Sequence, residues 1–501
     1  MSMTQDTLEL VKGSLRNPSD ALAKTISTAQ GLVAYDLQAP AKNLYPVVTP
    51  LRNRVPRVGG GTGTATNWRQ VSAIVGSGFD AMGWVPEGQR SGQMSYTTAS
   101  KAASFMTIGE EDAATYEAIS AGRGFEDIQA RMTFRLLQKI MLKEEMALLG
   151  GNAGGAAGGI SLGTPATPTL SASGSGSSLA AATYYVKVVG LTLEGYQNSS
   201  VAVGVATAKT VTGADGKTYT LSGGSSNISA EASQAVTAGQ TLFASTAAIQ
   251  GAVAYAWYVG TATGGETLQA ITTIDSIALT AYTTGGQAQT AVTADNSGNA
   301  GYAFNGLLTT ALASGSNAYV SILPTGSAGT GTVLTSSGRG SVNEIDAMFE
   351  TMWQNFELSP TVLYVNAQEL KNITAKVLSG ASAPLLRYHE PVGQEVDPWL
   401  VASNTVAFYY NPFAVDGGLK IPVKVHPRVP PGTIIGWAEN LPIQYQSNEV
   451  PNVAEVKTRQ DYYEIDWPIT TRQRQVGVYA EEVLAVYAPF AMGVIANIAN
   501  G

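Results

Sequence analysis

Residues 125–150, FEDIQARMTFRLLQKIMLKEEMALLG, carry the strongest helical pattern in the chain. Apolar side chains recur there at three- and four-residue spacing, which places them on one face of a helix. They are Phe125, Ile128, Met132, Leu136, Leu137, Ile140, Met141 and Leu148. The pattern extends back to Glu110, and Gly122 and Gly124 are predicted to split it. At about 1.5 Å per residue the second piece spans roughly 37 Å, so it is long enough to run along a whole domain as its spine.

The first 57 residues are predicted to form an extended arm. A helical stretch is expected at Asp6–Ser27, before a run that contains Pro40, Pro46, Pro50 and Pro56. Proline lacks a backbone N–H and pushes the residue before it to an extended conformation, so this run cannot be helical. Such an arm does not fold alone and must lie across something else.

Residues 58–105 are predicted to form a long β-hairpin. Two strand-like runs, Ala65–Ile74 and Gln93–Thr107, flank a glycine-rich middle section. Two such runs joined by a long connection are typical of an extended hairpin. Because the segment has few core-forming residues, it should be stable only against a partner.

The composition changes abruptly after Gly154. Residues 162–296 contain only nine charged side chains, and this segment is rich in Gly, Ser, Thr and Ala. Apolar residues alternate over 184–188 and over 253–259, and Asp215-Gly216 and Gly264-Gly265 are hairpin-turn signals. The pattern predicts a β-sandwich of about 130 residues. Two segments resemble central strands of fibronectin type III or related immunoglobulin-like domains: TYYVKVVGLTLEGYQNSS and AVAYAWYVGTATGGETLQAITT.

Helical and strand patterns return after Asn305. Helices are predicted at Asn305–Ala313 and Asn343–Asn355, a strand at Thr361–Val365, and a further helix from Asn366. The return indicates that residues 162–296 interrupt one domain, which sandwich folds tolerate when their termini lie close together. We expect that segment to fold autonomously on flanking Gly/Ala-rich linkers and to project outward.

Charge argues against a nucleic-acid-binding protein. The chain carries 29 basic and 37 acidic side chains, a formal net charge of −8, and its only basic segment is the end of the arm. Arg52, Arg54 and Arg57 lie there without the interleaved aromatic residues of a nucleic-acid patch. Arginine suits bidentate pairing with carboxylates, so these three are expected to pair with carboxylates of a neighbouring chain or segment.

No pattern of catalytic or metal-binding residues is present in the sequence. There is no cysteine, no G-x-S-x-G and no H-E-x-x-H, and the two histidines are His389 and His426. His426 follows a strand-like run, which favours a structural position, and His389 is expected in a loop. The chain is therefore expected to be no enzyme and to hold no cofactor or metal. No apolar run reaches membrane-spanning length, and no signal peptide is expected.

Two further patterns have structural explanations. Gly216-Lys217-Thr218 imitates the end of a phosphate-binding loop, but Val211 stands where that loop requires glycine, so a hairpin turn is predicted. The acidic pairs are Glu110-Glu111, Glu144-Glu145 and Glu481-Glu482. Adjacent side chains do not face one another, so solvated faces or intersubunit salt bridges are expected.

The order of these segments resembles the major capsid protein of tailed phages of the Hong Kong 97 type. After the arm and hairpin come, in turn, MLKEEMALLGGNAGG, SVNEIDAMFETMWQNFELSPTVLYVNAQELKNI, GGLKIPVKVHPRVPPGTIIGWAENLPIQ and EIDWPITTRQRQVGVYAEEVLAVYAPFAMGVIANI. The resemblance implies an α+β fold of the Hong Kong 97 type with an inserted all-β sandwich. Its parts would be the N-terminal arm (1–57), E-loop (58–105), P-domain with spine helix (106–160), inserted immunoglobulin- or fibronectin-like sandwich (161–300), mainly A-domain (301–450), and P-domain strands with the C-terminus (451–501).

The resemblance also implies a function. The chain would be a structural subunit that assembles with copies of itself into hexamers and pentamers of an icosahedral virion shell around double-stranded DNA. Portal, scaffolding or decoration proteins would be further partners, and DNA would be held by non-specific proximity. The candidate intersubunit contacts are Arg52, Arg54, Arg57, Trp68, Arg69 and Arg90. The alternative is a surface β-rich protein that binds carbohydrate or mediates adhesion through the segment with Trp257 and Tyr258.

Overall fold

The computed structural model describes residues 46–75, 84–123, 126–213, 215–338, 340–379, 406–414, 418–441 and 452–499. The helix expected at Asp6–Ser27 and the expected loop residue His389 lie outside these described residues.

The elements are numbered in chain order. The strands are β1 (Arg57–Val58), β2 (Ala65–Val75), β3 (Ser95–Ser104), β4 (Met106–Thr115), β5 (Thr169–Ser173), β6 (Ala182–Leu191), β7 (Ala208–Thr212), β8 (Thr218–Ser222), β9 (Ala232–Val236), β10 (Thr241–Ser245), β11 (Ala254–Gly260), β12 (Thr267–Thr272), β13 (Ser276–Leu279), β14 (Tyr319–Ile322), β15 (Val362–Val365), β16 (Phe408–Asn411), β17 (Leu419–Val425), β18 (Ile434–Trp437), β19 (Ala454–Asp466), β20 (Gln473–Val486) and β21 (Met492–Ala496). The helices are α1 (Tyr116–Ala121), α2 (Ile128–Gly150), α3 (Leu193–Asn198), α4 (Leu307–Leu312), α5 (Asn343–Phe356) and α6 (Ala367–Ser379).

Helix α2 is the predicted spine. The Asp127 side chain caps its first turn by accepting hydrogen bonds from the backbone N–H groups of Gln129 and Ala130. Its apolar face packs on a four-stranded sheet of order β1-β19-β20-β4, where Met132, Leu136 and Ile140 share a buried cluster with strand residues. Burying a side chain of this size contributes about 1.5–3 kcal/mol, so this stripe fixes the helix against the sheet.

The helix expected from Glu110 begins later than predicted. Residues 106–115 form β4, which pairs antiparallel with β20 over its whole length. Glu110 and Ala113 favour helices locally, but ten backbone pairings with a long neighbouring strand outweigh that preference. Among the described residues between Met106 and Gly150, the helices are the short α1 and the long α2.

A six-stranded mixed sheet of order β14-β21-β18-β15-β17-β16 forms a second layer. Helices α5 and α6 follow the predicted boundaries closely and contribute Ile345, Met348 and Ile373 to a cluster buried against this sheet. The strand predicted at Thr361–Val365 is β15, in the interior of the sheet.

Residues 169–279 form two facing antiparallel sheets, here called the two-sheet unit. One sheet has the order β13-β10-β5 and the other β12-β11-β6-β9. Tyr184, Val186, Val188 and Trp257 lie between the sheets in one buried cluster. The predicted turn at Asp215-Gly216 joins β7 to β8, where the Asp215 carboxylate accepts the Lys217 backbone N–H at 3.0 Å. That turn confirms the hairpin interpretation of Gly216-Lys217-Thr218.

The two-sheet unit is built into the rest of the protein. Leu162, Leu193 and Val253 lie in the same buried cluster as Leu148 and Leu307, here called the central cluster. A Cβ atom placed on Gly150 would overlap the Leu193 side chain. The Leu193 side chain of α3 therefore packs directly on the backbone of the spine helix, where only glycine leaves enough space. The unit is therefore packed against the rest of the protein, and its ability to fold on its own stays a prediction.

The glycine- and alanine-rich segments that flank this unit are likewise packed. The Asn152 side chain is buried, and its amide nitrogen donates to the carbonyl oxygens of Ile160 at 2.8 Å and Ser297 at 2.6 Å. Its oxygen accepts the Ile160 backbone N–H at 2.8 Å. One asparagine therefore links the chain segment that enters the two-sheet unit to the segment that leaves it. The sequence suggested free linkers there.

The predicted hairpin is present as β2 and β3. The two strands pair antiparallel from Ala65 opposite Ser104 to Val75 opposite Ser95. Most β3 side chains are exposed, so the hairpin extends away from the core clusters as an arm of its own.

Candidate functional site

The described end of the N-terminal arm is held by a cluster of charged and polar side chains around three buried glutamates, here called the arm anchor. Its members are Arg52, Arg54, Arg57, Glu144, Glu145, His426, Glu439, Asp461, Tyr462 and Glu482. They come from the arm, the spine helix α2, the loop after β17, the segment after β18, and the long strands β19 and β20.

The arm approaches the anchor through a tight turn. The backbone N–H groups of Arg54 and Val55 both donate to the Leu51 carbonyl oxygen, at 2.9 and 3.0 Å. Leu51 and Val55 are buried in the central cluster. The turn therefore places two apolar side chains in the core, and the arginines between and after them remain at its edge.

Glu145 binds the backbone of this turn. Its carboxylate accepts the backbone N–H of Leu51 at 2.9 Å and of Arg52 at 2.7 Å. His426 Nε2 lies 2.6 Å from Glu145 Oε1, and the His426 Nδ1 accepts the Arg428 backbone N–H at 3.1 Å. Because Nδ1 acts as acceptor, the ring proton is on Nε2 and points at the carboxylate. A fully buried carboxylate thus has three donors, as burial of a charge requires.

Glu144, one position earlier, binds the arginine side chains. Arg52 Nε donates to Glu144 Oε2 at 2.7 Å, and Arg57 pairs with the other carboxylate oxygen. The Tyr462 hydroxyl donates to Glu144 and accepts from Arg52, while both guanidinium groups lie about 5 Å from its ring centroid. Burial, with Glu144 adding to it, raises the pKa of Tyr462.

Glu482 completes the group from strand β20. Its Oε2 lies 3.1 Å from Arg57 Nη2, and the same guanidinium reaches Asp461 at 2.7 Å. Burial and then the nearby Glu144 raise the pKa of Glu482 to about 8, although Arg57 opposes the shift. Burial alone would lower the pKa of Arg57, but attraction to Glu144 and Glu482 outweighs it and raises that pKa. Protonation of Glu482 leaves two carboxylates to balance the charges of Arg52 and Arg57.

Arg54 makes a separate contact on the other side of the turn. It pairs with Glu439, which follows strand β18, with Nη2 2.6 Å from Glu439 Oε2. Arg52 and Arg57 therefore share Glu144 on the spine helix, and Arg54 binds a different part of the fold.

These contacts show which carboxylates of the same chain lie against the arginines. The sequence suggested carboxylates of a neighbouring chain or segment, and the structure places carboxylates of other segments of this chain against Arg52, Arg54 and Arg57. Contact of these arginines with a neighbouring subunit stays a prediction.

The acidic pairs are also corrected. Glu144, Glu145 and Glu482 are buried, although solvated faces or intersubunit salt bridges were expected. One signal was present in the sequence, because Glu144 falls four residues after Ile140 and four before Leu148, on the buried stripe of the helix. A carboxylate at such a position predicts a buried cationic partner.

The other candidate contact residues lie on the hairpin. The Trp68 ring packs edge-on against Tyr487, with ring centroids 5.3 Å apart, so the base of the hairpin rests on the end of β20. Arg69 and Arg90 are exposed. Their role as contacts with neighbouring subunits stays a prediction.

The far part of the hairpin carries exposed apolar side chains. Trp84 is 93% exposed, and Met94 and Tyr96 are also largely exposed. Isolated exposed apolar residues are common, so these three side chains are candidates for a contact surface and do not by themselves show one.

The described residues offer no group of three His, Asp or Glu side chains placed to hold a metal ion. Within the same part of the chain, no helix has the length and apolar content to cross a membrane. What the arm anchor can do is mechanical: it fixes an extended segment to a helix and two strands through charge and hydrogen bonding.

No protein-family model matches the chain, and no curated protein matches it. Among solved structures, the chain is similar to the capsid of a native GTA particle, with a TM-score of 0.42, 8% identity and coverage of 95% of this chain and 100% of the other. For the capsid of Myoviridae phage XM1 the TM-score is 0.41 and the identity 8%, with 95% of this chain and 100% of the other covered. For the holo-SrpI encapsulin complex of Synechococcus elongatus PCC 7942 the TM-score is 0.39 and the identity 9%, with 96% of this chain and 97% of the other covered. These similar structures are two capsids and an encapsulin.

Proposed function

We propose that the chain is a shell-forming structural subunit, the major capsid protein of a tailed phage of the Hong Kong 97 type. Copies of it would form hexamers and pentamers of an icosahedral head that encloses double-stranded DNA. In this proposal the hairpin is the E-loop, the spine helix with its four-stranded sheet is the P-domain, and the six-stranded sheet is the A-domain. The two-sheet unit is an inserted immunoglobulin- or fibronectin-like sandwich.

The observation that supports the proposal best is the contrast between the arm and the hairpin. In the described part of the arm, Arg52, Arg54 and Arg57 pair with carboxylates of their own chain. The hairpin, in contrast, extends outward with Trp84, Met94 and Tyr96 exposed. A long projection that covers no core of its own is stabilised when it lies on a neighbouring molecule. A second copy of the chain is the occupant we propose, because a closed shell requires each subunit to reach the next.

The alternative of a carbohydrate-binding or adhesion protein finds no support at its key residues. Trp257 and Tyr258 are both fully buried, and the Tyr258 hydroxyl lies 2.7 Å from the Gln287 side-chain oxygen. Neither ring is available to stack on a sugar. A structural, non-catalytic role therefore remains the proposal, with portal, scaffolding or decoration proteins as its further partners.

Particle mass tests the proposal. The expressed chain should form closed shells many times heavier than its own 52.0 kDa, measurable by analytical ultracentrifugation and visible by cryo-microscopy. The variant with Trp84→Ser, Met94→Ser and Tyr96→Ser should remain folded, by circular dichroism, and fail to form shells. The matched control is Val203→Ser, because Val203 is also largely exposed but lies outside the hairpin in the two-sheet unit. This variant should assemble normally.

The outcomes are distinguishable. A wild-type chain that stays at the mass of one subunit under all assembly conditions would overturn the capsid proposal. Shells that form normally from the triple variant would leave the capsid proposal intact and remove the hairpin from its contacts.

A further inference from the structure

Three charged side chains meet within the two-sheet unit, away from the arm anchor. Lys187 lies in β6, Glu231 immediately precedes β9, and Glu266 immediately precedes β12. Val186 and Val188, on either side of Lys187, point into the cluster between the two sheets, so Lys187 points to the opposite face. We call this group the Lys187 site.

The geometry brings an amine close to a buried carboxyl group. Lys187 Nζ lies 3.7 Å from Glu266 Oε2 and 4.0 Å from Glu231 Oε2. The Glu266 side chain is fully buried, and neither of its oxygens receives a hydrogen bond from a donor in the described chain. A carboxylate buried in this way without donors carries a large desolvation cost, which an ion pair at 3.7 Å offsets only in part.

The two carboxyl groups have opposite protonation preferences. Burial raises the pKa of Glu266, and the nearby Glu231 raises it further. Glu266 in turn lowers the pKa of Glu231, which also accepts the Gly264 backbone N–H at 3.1 Å. A proton in this site is therefore held more readily by Glu266 than by Glu231.

We propose that Lys187 and Glu266 condense to an intramolecular amide bond, with Glu231 as the proton-transfer residue. Glu231 takes a proton from the Lys187 ammonium, and the free amine attacks the Glu266 carboxyl carbon. As the C–N bond forms, the nitrogen loses a second proton, the C–OH bond breaks, and one of the two protons leaves with that hydroxyl as water. The other proton stays on Glu231 and passes to solvent. The ammonium and the acid release one water and one proton, and nothing is oxidised or reduced, so no co-reactant is needed.

Three physical features favour this reaction over a lasting ion pair. Groups held at contact distance react with effective molarities that reach roughly 10⁵–10⁸ M. Burial favours the neutral form of the attacked acid, and a neutral carboxylic acid is a better acyl donor than a carboxylate. Exclusion of water protects the product amide from hydrolysis.

The bond would link strands that are not neighbours. In the sheet order β12-β11-β6-β9, strand β11 lies between β6 and β12. An amide between Lys187 and Glu266 would therefore bridge β11 and close the chain between the two residues into a covalent loop. Such a link reduces the freedom of the unfolded chain, as a disulfide does, in a protein that has no cysteine.

Intact-mass spectrometry of the denatured full-length chain tests the proposal. The expected mass is one water below the mass calculated from the sequence. Trypsin should fail to cut after Lys187, and a branched peptide that joins Lys187 to Glu266 should be identified by fragmentation. A wild-type mass equal to the sequence mass, with normal cleavage after Lys187, would overturn the proposal and leave an ion pair.

Variants assign the roles. Lys187→Arg keeps the charge but cannot form this amide, so it should show the full sequence mass and a melting temperature lower by about 5 °C or more. Glu231→Gln should preserve the pocket and leave most chains unlinked. Complete linkage in Glu231→Gln would remove Glu231 from the mechanism, and loss of one water in Lys187→Arg would show that another pair of residues reacts.

Discussion

Glu145 and His426 are 281 positions apart in the sequence and form a hydrogen bond of 2.6 Å between two fully buried side chains. Through Glu145 the histidine is connected to the backbone of Leu51 and Arg52, so the pair joins the arm, the spine helix and the loop after β17. The arm is therefore held by its main chain as well as by its arginines.

Removal of the histidine tests that connection. His426→Ala leaves the buried Glu145 carboxylate without one of three donors and opens a cavity, so the free energy of unfolding should fall by about 3 kcal/mol. Urea denaturation followed by tryptophan fluorescence would measure it. In the Glu145→Gln background the same substitution should cost clearly less, and equal costs in both backgrounds would show that the two side chains are not coupled.

The raised pKa of Glu482 makes the stability of the chain depend on pH. The folded chain keeps this proton up to about pH 8, whereas the unfolded chain loses it near the ordinary value of 4.5. Within that window only the folded state holds the proton, so the free energy of unfolding should decrease as pH rises, by up to about 1.4 kcal/mol per pH unit.

Glu482→Gln should flatten this slope, because glutamine does not titrate. The measurement is the urea midpoint of wild type and variant from about pH 5 to about pH 9. Glu481→Gln is the matched control, because Glu481 points to the opposite face of the same strand and pairs with Arg459. Parallel slopes for wild type and Glu482→Gln would contradict the prediction.

The arginines of the arm should differ in importance. Arg57→Ala leaves Glu144 and Glu482 with less positive charge in a buried setting, so we expect a loss of about 3 kcal/mol. Arg54→Ala breaks one partly exposed pair and should cost about 1 kcal/mol. Thermal and urea unfolding of the two variants side by side would decide the order; an equal or reversed order would show that the buried group does not dominate.

Two deletions test whether the two-sheet unit is integral. Replacement of residues 162–296 by a Gly/Ser linker removes Leu193 and Val253 from the central cluster, so the product should be insoluble or unfolded. Replacement of residues 209–221 by two glycines removes only the exposed β7–β8 hairpin and should be tolerated. Soluble yield and circular dichroism measure both, and a folded product from the large deletion would support the idea of an autonomous unit.

Local patterns predicted the elements that depend on local spacing. The stripe Met132, Leu136, Ile140 specified α2, and the alternation of Tyr184, Val186 and Val188 specified β6, because each periodicity is visible within a dozen residues. Strand β4 was missed because its pairing partner β20 lies more than 300 residues later in the chain. The packing of Asn152 was missed because small, polar residues look like a linker until their partners are known.

The arm anchor was predicted only in part. Arginine at 52, 54 and 57 indicated carboxylate partners, and carboxylates are found. Which carboxylates they are depends on contacts between residues 87 to 425 positions apart, and such contacts leave no periodic trace in a single sequence.

The distance of 425 residues between Arg57 and Glu482 also sets an order of events during synthesis. At about 5–20 residues per second, the ribosome needs roughly 20–85 s after Arg57 to make Glu482. Throughout that interval the arm can contact the spine helix, but strand β20, which contributes Glu482 to the arm anchor, has not yet been synthesised. The arm anchor of a nascent chain can therefore be completed only when nearly the entire polypeptide has been made.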